Sequence, residues 1–196
     1  MQKVFAFLVK QLSNLWGSSL ILLVAWQLFL RPSDVEPKLG ASVVRQFELM
    51  PAAGSMELRF NITPSLLIKS THGFYTIRFN HLAAAVFYAG EKLGPVDDEL
   101  PPFKQKSHTN VVMDMVLAGW LHNASSAVVK RFAEEKVAGR FEAAVVTIRT
   151  TLTYKFWPYK ADYFYIYECP LSMPAVPRDG GELVLSSPST CKSVKI

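Results

Sequence analysis

The chain is poor in the residues from which most protein chemistry is built. It has two cysteines, Cys169 and Cys191, and neither belongs to a CxxC step. A structural zinc site takes four ligands, so two sulfurs spaced like these do not make one. They form either one disulfide, if the domain lies in an oxidising compartment, or two buried thiols; spacing leaves both open. The four histidines, His72, His81, His108 and His122, are dispersed, with none at i, i+4 from another ligand type. No GxSxG, GxGxxG, P-loop or HExxH is present, so no nucleophile, phosphate cradle or zinc helix is announced. The acidic run Asp97-Asp98-Glu99 lacks the spaced ligands and glycine of a calcium loop, and reads as a solvated turn before Pro101. Function has to be argued from a site. The expectation is therefore no enzyme, no catalytic residue, no cofactor and no metal.

Long runs of one charge are also missing. The net charge is +5, yet no run of Lys and Arg exceeds two residues. The Tyr and Phe residues do not interleave with Arg as they would on an RNA-binding face. Nucleic acid is excluded as the expected partner.

What the chain does have is one long apolar segment. Residues 11–30 carry no charge, and at 1.5 Å rise per residue that run matches a hydrocarbon core of about 30 Å. Lys3 and Lys10 stand before it, Arg31 after it, and Trp16 and Trp26 fall where amphipathic rings sit near the interfaces. Pro32 ends the helix, having no N–H to give. Residues 26–36 offer no small-residue cleavage site, which favours an uncleaved anchor over a signal peptide. The expected organisation is a cytosolic tail (1–10), a single transmembrane helix (11–31) in the lipid bilayer, a polar juxtamembrane linker (32–42) and one domain (43–196). Flanking Lys and Arg do not decide orientation. The sequons at Asn61 (Asn61-Ile62-Thr63) and Asn123 (Asn123-Ala124-Ser125), with the cysteine pair, favour an extracytosolic domain.

Beyond the linker the period changes to two. Leu58, Phe60 and Ile62 alternate with Glu57, Arg59 and Asn61; Tyr75, Ile77 and Phe79 alternate with Thr76, Arg78 and Asn80. Val146, Ile148, Leu152, Tyr154 and Phe156 share one side of 141–156, with Thr147, Arg149, Thr151, Thr153 and Lys155 on the other. Such alternation is the pattern of a half-buried antiparallel strand. Further strands are expected at 82–89, 110–119, 163–169 and 192–196. Residues 126–139 instead start on a capping residue, place Val128, Val129, Phe132 and Val137 on one face and end at Gly139; they read as one short helix. The fold class is mainly β: a membrane helix followed by an antiparallel β-sandwich of about seven strands with one short helix.

The segment 82–90, LAAAVFYAG, followed by Leu100-Pro101-Pro102-Phe103-Lys104-Gln105, resembles the plant late-embryogenesis-abundant group-two domain. In particular it is similar to the membrane-anchored harpin-induced and non-race-specific-disease-resistance-like branch. Leu30-Arg31-Pro32, the Tyr163–Cys169 strand and the late Cys191-Lys192-Ser193-Val194 also match. The family usually carries an Asn-Pro-Asn turn where this chain has Ser70-Thr71-His72-Gly73, a departure that marks a divergent member. The resemblance implies a fibronectin-III- or immunoglobulin-like sandwich, placement at the plasma membrane (plasmodesmata included), and a role in plant defence or stress. It implies no catalytic residues.

Two functions follow. The first is a tethered non-enzymatic binding protein, its partner a membrane protein, the cell wall or a second copy of itself. The second is a carrier of lipid or another apolar ligand, using a groove lined by Tyr154, Phe156, Tyr163 and Tyr165, because 163–167 carries aromatics on both faces. The Pro101–Pro102 step is expected to shape an edge or crossover between strands.

Overall fold

The structure, a computed structural model, describes residues 16, 18–21, 23, 35–52, 54–69, 76–156, 159–175, 183–184 and 189–194. The chain divides into Met1–Asp34 and Val35–Ile196. In the first unit the described residues Trp16, Ser18, Ser19, Leu20, Ile21 and Leu23 are helical with exposed side chains. Among the described residues no helix is long and apolar enough to cross a membrane. Most of the expected membrane helix, the tail before it and Pro32 lie outside the described residues.

The second unit is mainly antiparallel β. Its strands are β1 (Pro37–Ala52), β2 (Ser55–Lys69), β3 (Thr76–Tyr88), β4 (Glu91–Leu100), β5 (Phe103–Gln105), β6 (Asn110–Asp114) and β7 (Leu117–Leu121). A helix α1 (Ser126–Ala138) precedes β8 (Arg140–Phe156), β9 (Tyr159–Pro174), β10 (Leu183–Val184), β11 (Ser189–Thr190) and β12 (Lys192–Val194). One sheet, here sheet A, runs β10-β1-β2-β6, with β11 also on β1 and β7 also on β2. The other, sheet B, runs β12-β9-β8-β3-β4, with β5 also on β3. Every pair is antiparallel. The inward faces of the two sheets share one apolar core, which makes the unit sandwich-like.

Alternation explains which residues fill that core. Leu58, Phe60 and Ile62 are buried, as are Val146, Ile148, Leu152 and Tyr154; burying each such side chain is worth about 2 kcal/mol. Strand β3 shows what alternation alone misses. The sequence suggests two strands, 74–80 and 82–89, because the buried set changes from odd (Ile77, Phe79) to even (Leu82, Ala84, Val86, Tyr88). The structure has one strand, interrupted by a register shift between Asn80 and Ala83, with His81 at φ 46°. A bulge inserts one residue and so flips the phase. The expected strand 110–119 is instead two, β6 and β7.

The expected linker 32–42 also needs correction. β1 begins at Pro37, and Val35, Leu39 and Ser42 are buried. Polar composition and the proline and glycine suggested a linker, but pairing to β2 and β11 satisfies the backbone there. In α1 the N-cap is Ser125, whose hydroxyl accepts from Val128 N at 3.3 Å, and Gly139 closes the helix at φ 78°. Val128 and Phe132 are buried, but Val137 is 91% exposed. The inward position on that last turn belongs to Glu135, which is buried. It accepts hydrogen bonds from the Tyr88 hydroxyl (2.8 Å), Arg131 Nε (2.9 Å) and Ala143 N (3.1 Å). A carboxylate with three donors is a satisfied anchor that fixes the helix to β3 and β8. Burial, with the Glu135 charge beside it, pushes the Tyr88 hydroxyl far above its ordinary pKa.

A candidate binding face on sheet A

Residues pointing away from the core on β1, β2 and β7 form cross-strand rows. Register pairs Glu48 with Arg59 and Arg59 with Trp120; in the next row Gln46 pairs with Asn61 and Asn61 with Ala118. Glu57 and His122 occupy the neighbouring positions at the turn end. Between these rows lies a shallow concavity of about 520 Å³ whose lining includes Gln46, Glu57, Arg59, Asn61, Trp120 and His122. That volume is within the range of small-molecule sites.

The floor is set by small residues. A Cβ on Gly119 would meet Phe60 Cε1 at 3.1 Å and Cζ at 3.3 Å, so only glycine lets β7 lie this close to the core ring. Ala118 adds little bulk, and Trp120 stands beside it 50% exposed. Its indole packs edge-on to His122, with ring centroids 5.8 Å apart.

Glu57 holds the rim together. It is 6% exposed, a rare state for a carboxylate unless it is paired. Arg59 Nε donates to one oxygen at 2.6 Å, and His122 Nδ1 lies 2.8 Å from the other. The hydrogen bond from Arg59 holds the Glu57 carboxyl below the usual carboxylate range against the opposing pull of burial, with His122 contributing less. Ionised and doubly bonded near neutral pH, Glu57 orients Arg59 and His122 and is not a proton donor. Asn61 Oδ1 is buried without a hydrogen-bond partner in the protein. A buried acceptor left open at a concavity is where a ligand donor would be accepted.

Of the residues singled out from the sequence, Asn61 and His122 lie on this face and the others are placed elsewhere. Cys169, on β9, and Cys191, just before β12, face each other across the strands with sulfurs 2.03 Å apart, a disulfide closing 22 residues of sequence separation. Leu100 ends β4, the exposed Pro101 and Pro102 turn the chain, and Phe103 to Gln105 form β5; both strands pair with β3. Phe103 stacks on Phe79 at 4.4 Å. Gln105 is buried, its Nε2 donating to Ile68 O (2.9 Å) and Thr109 O (2.8 Å), which ties sheet B to sheet A. The LPPF-x-Q segment is thus structural in its contacts. Asn123 is exposed on a turn at φ 53°, whereas Asn61 sits inside paired β2. The tyrosines proposed to line a groove pack on one another: Tyr163 lies edge-on to Tyr154 with ring centroids 5.5 Å apart and tilted against Tyr165 at 6.5 Å. The Phe156 side chain and the turn at 70–73 lie outside the described residues.

Sequence reading missed the sheet A face. In the sequence His122 is one of four dispersed histidines, and Glu57 belongs to the polar phase of a strand. Nothing local joins Glu57 to His122, since the pairing of β2 with β7 brings them together. The available signals were a tryptophan flanked by glycine and an acid at an otherwise unremarkable strand position.

No protein-family model matches the chain, and no curated protein matches it. Among solved structures, a protein from Archaeoglobus fulgidus known by its crystal structure aligns over 72% of this chain and 95% of that chain, at 10% identity and a TM-score of 0.31. That likeness is too remote to bear on fold or function.

Proposed function

We propose that this chain is a non-enzymatic binding protein tethered to a membrane by residues 11–31, with its β domain on the extracytosolic side. In this reading it is a divergent relative of the membrane-anchored branch of the late-embryogenesis-abundant group-two family, acting at the plant cell surface in defence or stress. The three-plus-four arrangement of long strands, β1, β2 and β6/β7 against β4/β5, β3, β8 and β9, supports a fibronectin-III-like sandwich.

The observation that carries the binding role is the sheet A face. A half-exposed indole offers a flat apolar platform, and Gln46, Asn61 and Arg59 offer amide and guanidinium hydrogen bonds around it. Of a membrane protein, a second copy and the cell wall, a cell-wall saccharide suits that chemistry best. A sugar ring presents an apolar face for stacking and hydroxyls for an open acceptor such as Asn61 Oδ1. The carrier reading has weaker support, because the tyrosines that would line its groove pack edge-on or tilted against each other.

The test is retention of the detergent-solubilised full chain on insoluble cell-wall polysaccharide. Trp120→Ala is expected to weaken retention by about 30-fold, the effect of losing a central aromatic anchor worth about 2 kcal/mol. Equal retention by the variant would exclude this face. Native mass spectrometry showing co-purified lipid on the wild-type chain would move the assignment to the carrier.

A further inference from the structure

The line of outward residues that carries Trp120 continues past the concavity. Arg59 pairs with Trp120 and Asn61 with Ala118 on β7, and in the same register Ser65 pairs with Asp114 and Leu67 with Val112 on β6. Thr63 therefore stands level with Val116, in the short connection between those strands. Met115 N donates to Pro64 O at 2.9 Å, which keeps that connection against β2. Along this line apolar side chains are open to solvent at every second outward position: Trp120 at 50%, Val116 at 61% and Val112 at 66% exposure. Beside them on β2, Thr63 Oγ1 is buried without a hydrogen-bond partner in the protein, as is Asn61 Oδ1 two residues before it. Such groups cost stability unless something outside the fold supplies their partners. From Arg59 to Leu67 the strand advances about 27 Å at a rise of about 3.4 Å per residue, a length that no single sugar ring fills.

Charges along this row balance: Glu48, Glu57 and Asp114 stand against Arg45, Arg59 and Lys38. Arg59 is already bonded to Glu57. Without a net positive field the row has nothing that would concentrate a polyanion. Exposed His122 at one end and exposed Val112 at the other leave it open at both ends. A protein interface is built around an apolar centre, whereas here Ala118 and Asp114 separate the apolar residues and the open polar groups run alongside them. We infer that this row binds the interior of an uncharged linear polysaccharide, laid along β2 from Trp120 past Asn61 and Thr63 to Val112. The inference rests on the saccharide reading of the Trp120 concavity and extends it to the charge and length of the ligand. Apolar faces of successive sugar rings rest on Trp120, Val116 and Val112. Sugar hydroxyls between them donate to Asn61 Oδ1 and exchange hydrogen bonds with Thr63 Oγ1. Each further unit in contact adds to the affinity, and no chain end is required.

The experiment titrates the detergent-solubilised full chain, by calorimetry, with linear β-linked oligomers of glucose, mannose and xylose, of two and six units, and with a six-unit galacturonate. In at least one neutral series the hexamer is expected to bind tighter than the dimer by about ten-fold or more, beyond the gain from the extra registers of a longer chain. The galacturonate is expected to bind more weakly than that hexamer. Thr63→Val and Val116→Asp are each expected to lower the hexamer-to-dimer ratio several-fold, while Val137→Asp, on the exposed side of α1, leaves it as it is. Equal affinity for dimer and hexamer, both lost in Trp120→Ala, overturns the extended row and leaves the saccharide reading standing. A ratio unchanged in both row variants overturns the path along β2, and galacturonate bound as tightly as the neutral hexamer overturns the uncharged class. Binding of no hexamer overturns the inference; retention on insoluble polysaccharide then tells whether the saccharide reading falls with it. A dimer of the chain that Val116→Asp dissociates, with no hexamer bound, assigns the row to a second copy.

Discussion

Replacing Glu135 by alanine removes the acceptor that docks α1 onto sheet B, and its cost can be worked from the structure. The Tyr88 hydroxyl, on a fully buried residue, and Ala143 N both lose their partner. A buried donor left unsatisfied costs about 1–3 kcal/mol, so the two together cost about 3 kcal/mol. The lost Arg131 pair at i, i+4 and the higher helix propensity of alanine are each worth about 0.5 kcal/mol and cancel. Against a total stability of about 5–15 kcal/mol this is a large fraction, and for a domain of this size it lowers the melting temperature by about 6–12 °C. Thermal unfolding of the full chain in mild detergent, followed by near-ultraviolet circular dichroism, reads it. Tyr88→Phe removes a donor together with its bond and leaves the carboxylate two donors, so its cost is about 1 kcal/mol. The double variant is expected to lose less than the sum, because no orphaned hydroxyl remains. A loss below about 1 kcal/mol for Glu135→Ala, or strict additivity in the cycle, would refute the reasoning.

Other perturbations follow from the same contacts. Cys169→Ser opens the loop closed to Cys191, and at a sequence separation of 22 the chain-entropy estimate is about 3 kcal/mol. The melting temperature should fall in oxidising buffer and match the wild type when reductant is present, and an equal loss in both would sink the disulfide's role. Gly119→Ala sets a methyl 3.1 Å from the Phe60 ring and is expected to cost about 1–3 kcal/mol. Unchanged stability would show that the ring yields freely. Glu57 and Asp162 both titrate below their ordinary values, Glu57 through Arg59 first and Asp162 through the Thr153 hydroxyl first. A depressed folded-state pKa contributes stability above the unfolded value that is lost as pH falls through the folded value. Acid unfolding monitored downward from pH 4.5, the reference value for Glu57, should therefore be shallower in Glu57→Gln than in the wild type. Identical acid profiles would contradict that assignment.

Strand residues were legible in the sequence where the two faces of a sheet differ in polarity, as in β2 and β8. They were less so where geometry intervened. The bulge at His81 converts one strand into two apparent phases, and nothing in the residue types marks it. Pro37 and Gly40 looked like linker because their composition suits one; strand pairing is what orders them. The helix face was read on apolar periodicity, so Val137 was placed inward and Glu135 overlooked, although the carboxylate is the better fit to a buried site that holds three donors. Gln105 was recognised as part of a motif, but its work of joining the two sheets depends on Ile68, far away in sequence. The sheet A face shows the same limit: its rows are set by the pairing of β2 with β1 and β7, so a strand-by-strand reading sees only isolated polar residues.

The most direct measurement is alkaline carbonate extraction of the full-length chain from plant membranes, followed by glycosidase treatment of the pellet. The account expects retention in the pellet and a mobility shift that disappears in Asn123→Gln, since Asn123 is exposed on a turn, and persists in Asn61→Gln. Release of the chain into the supernatant would contradict the tethered, extracytosolic binding domain on which the functional reading depends.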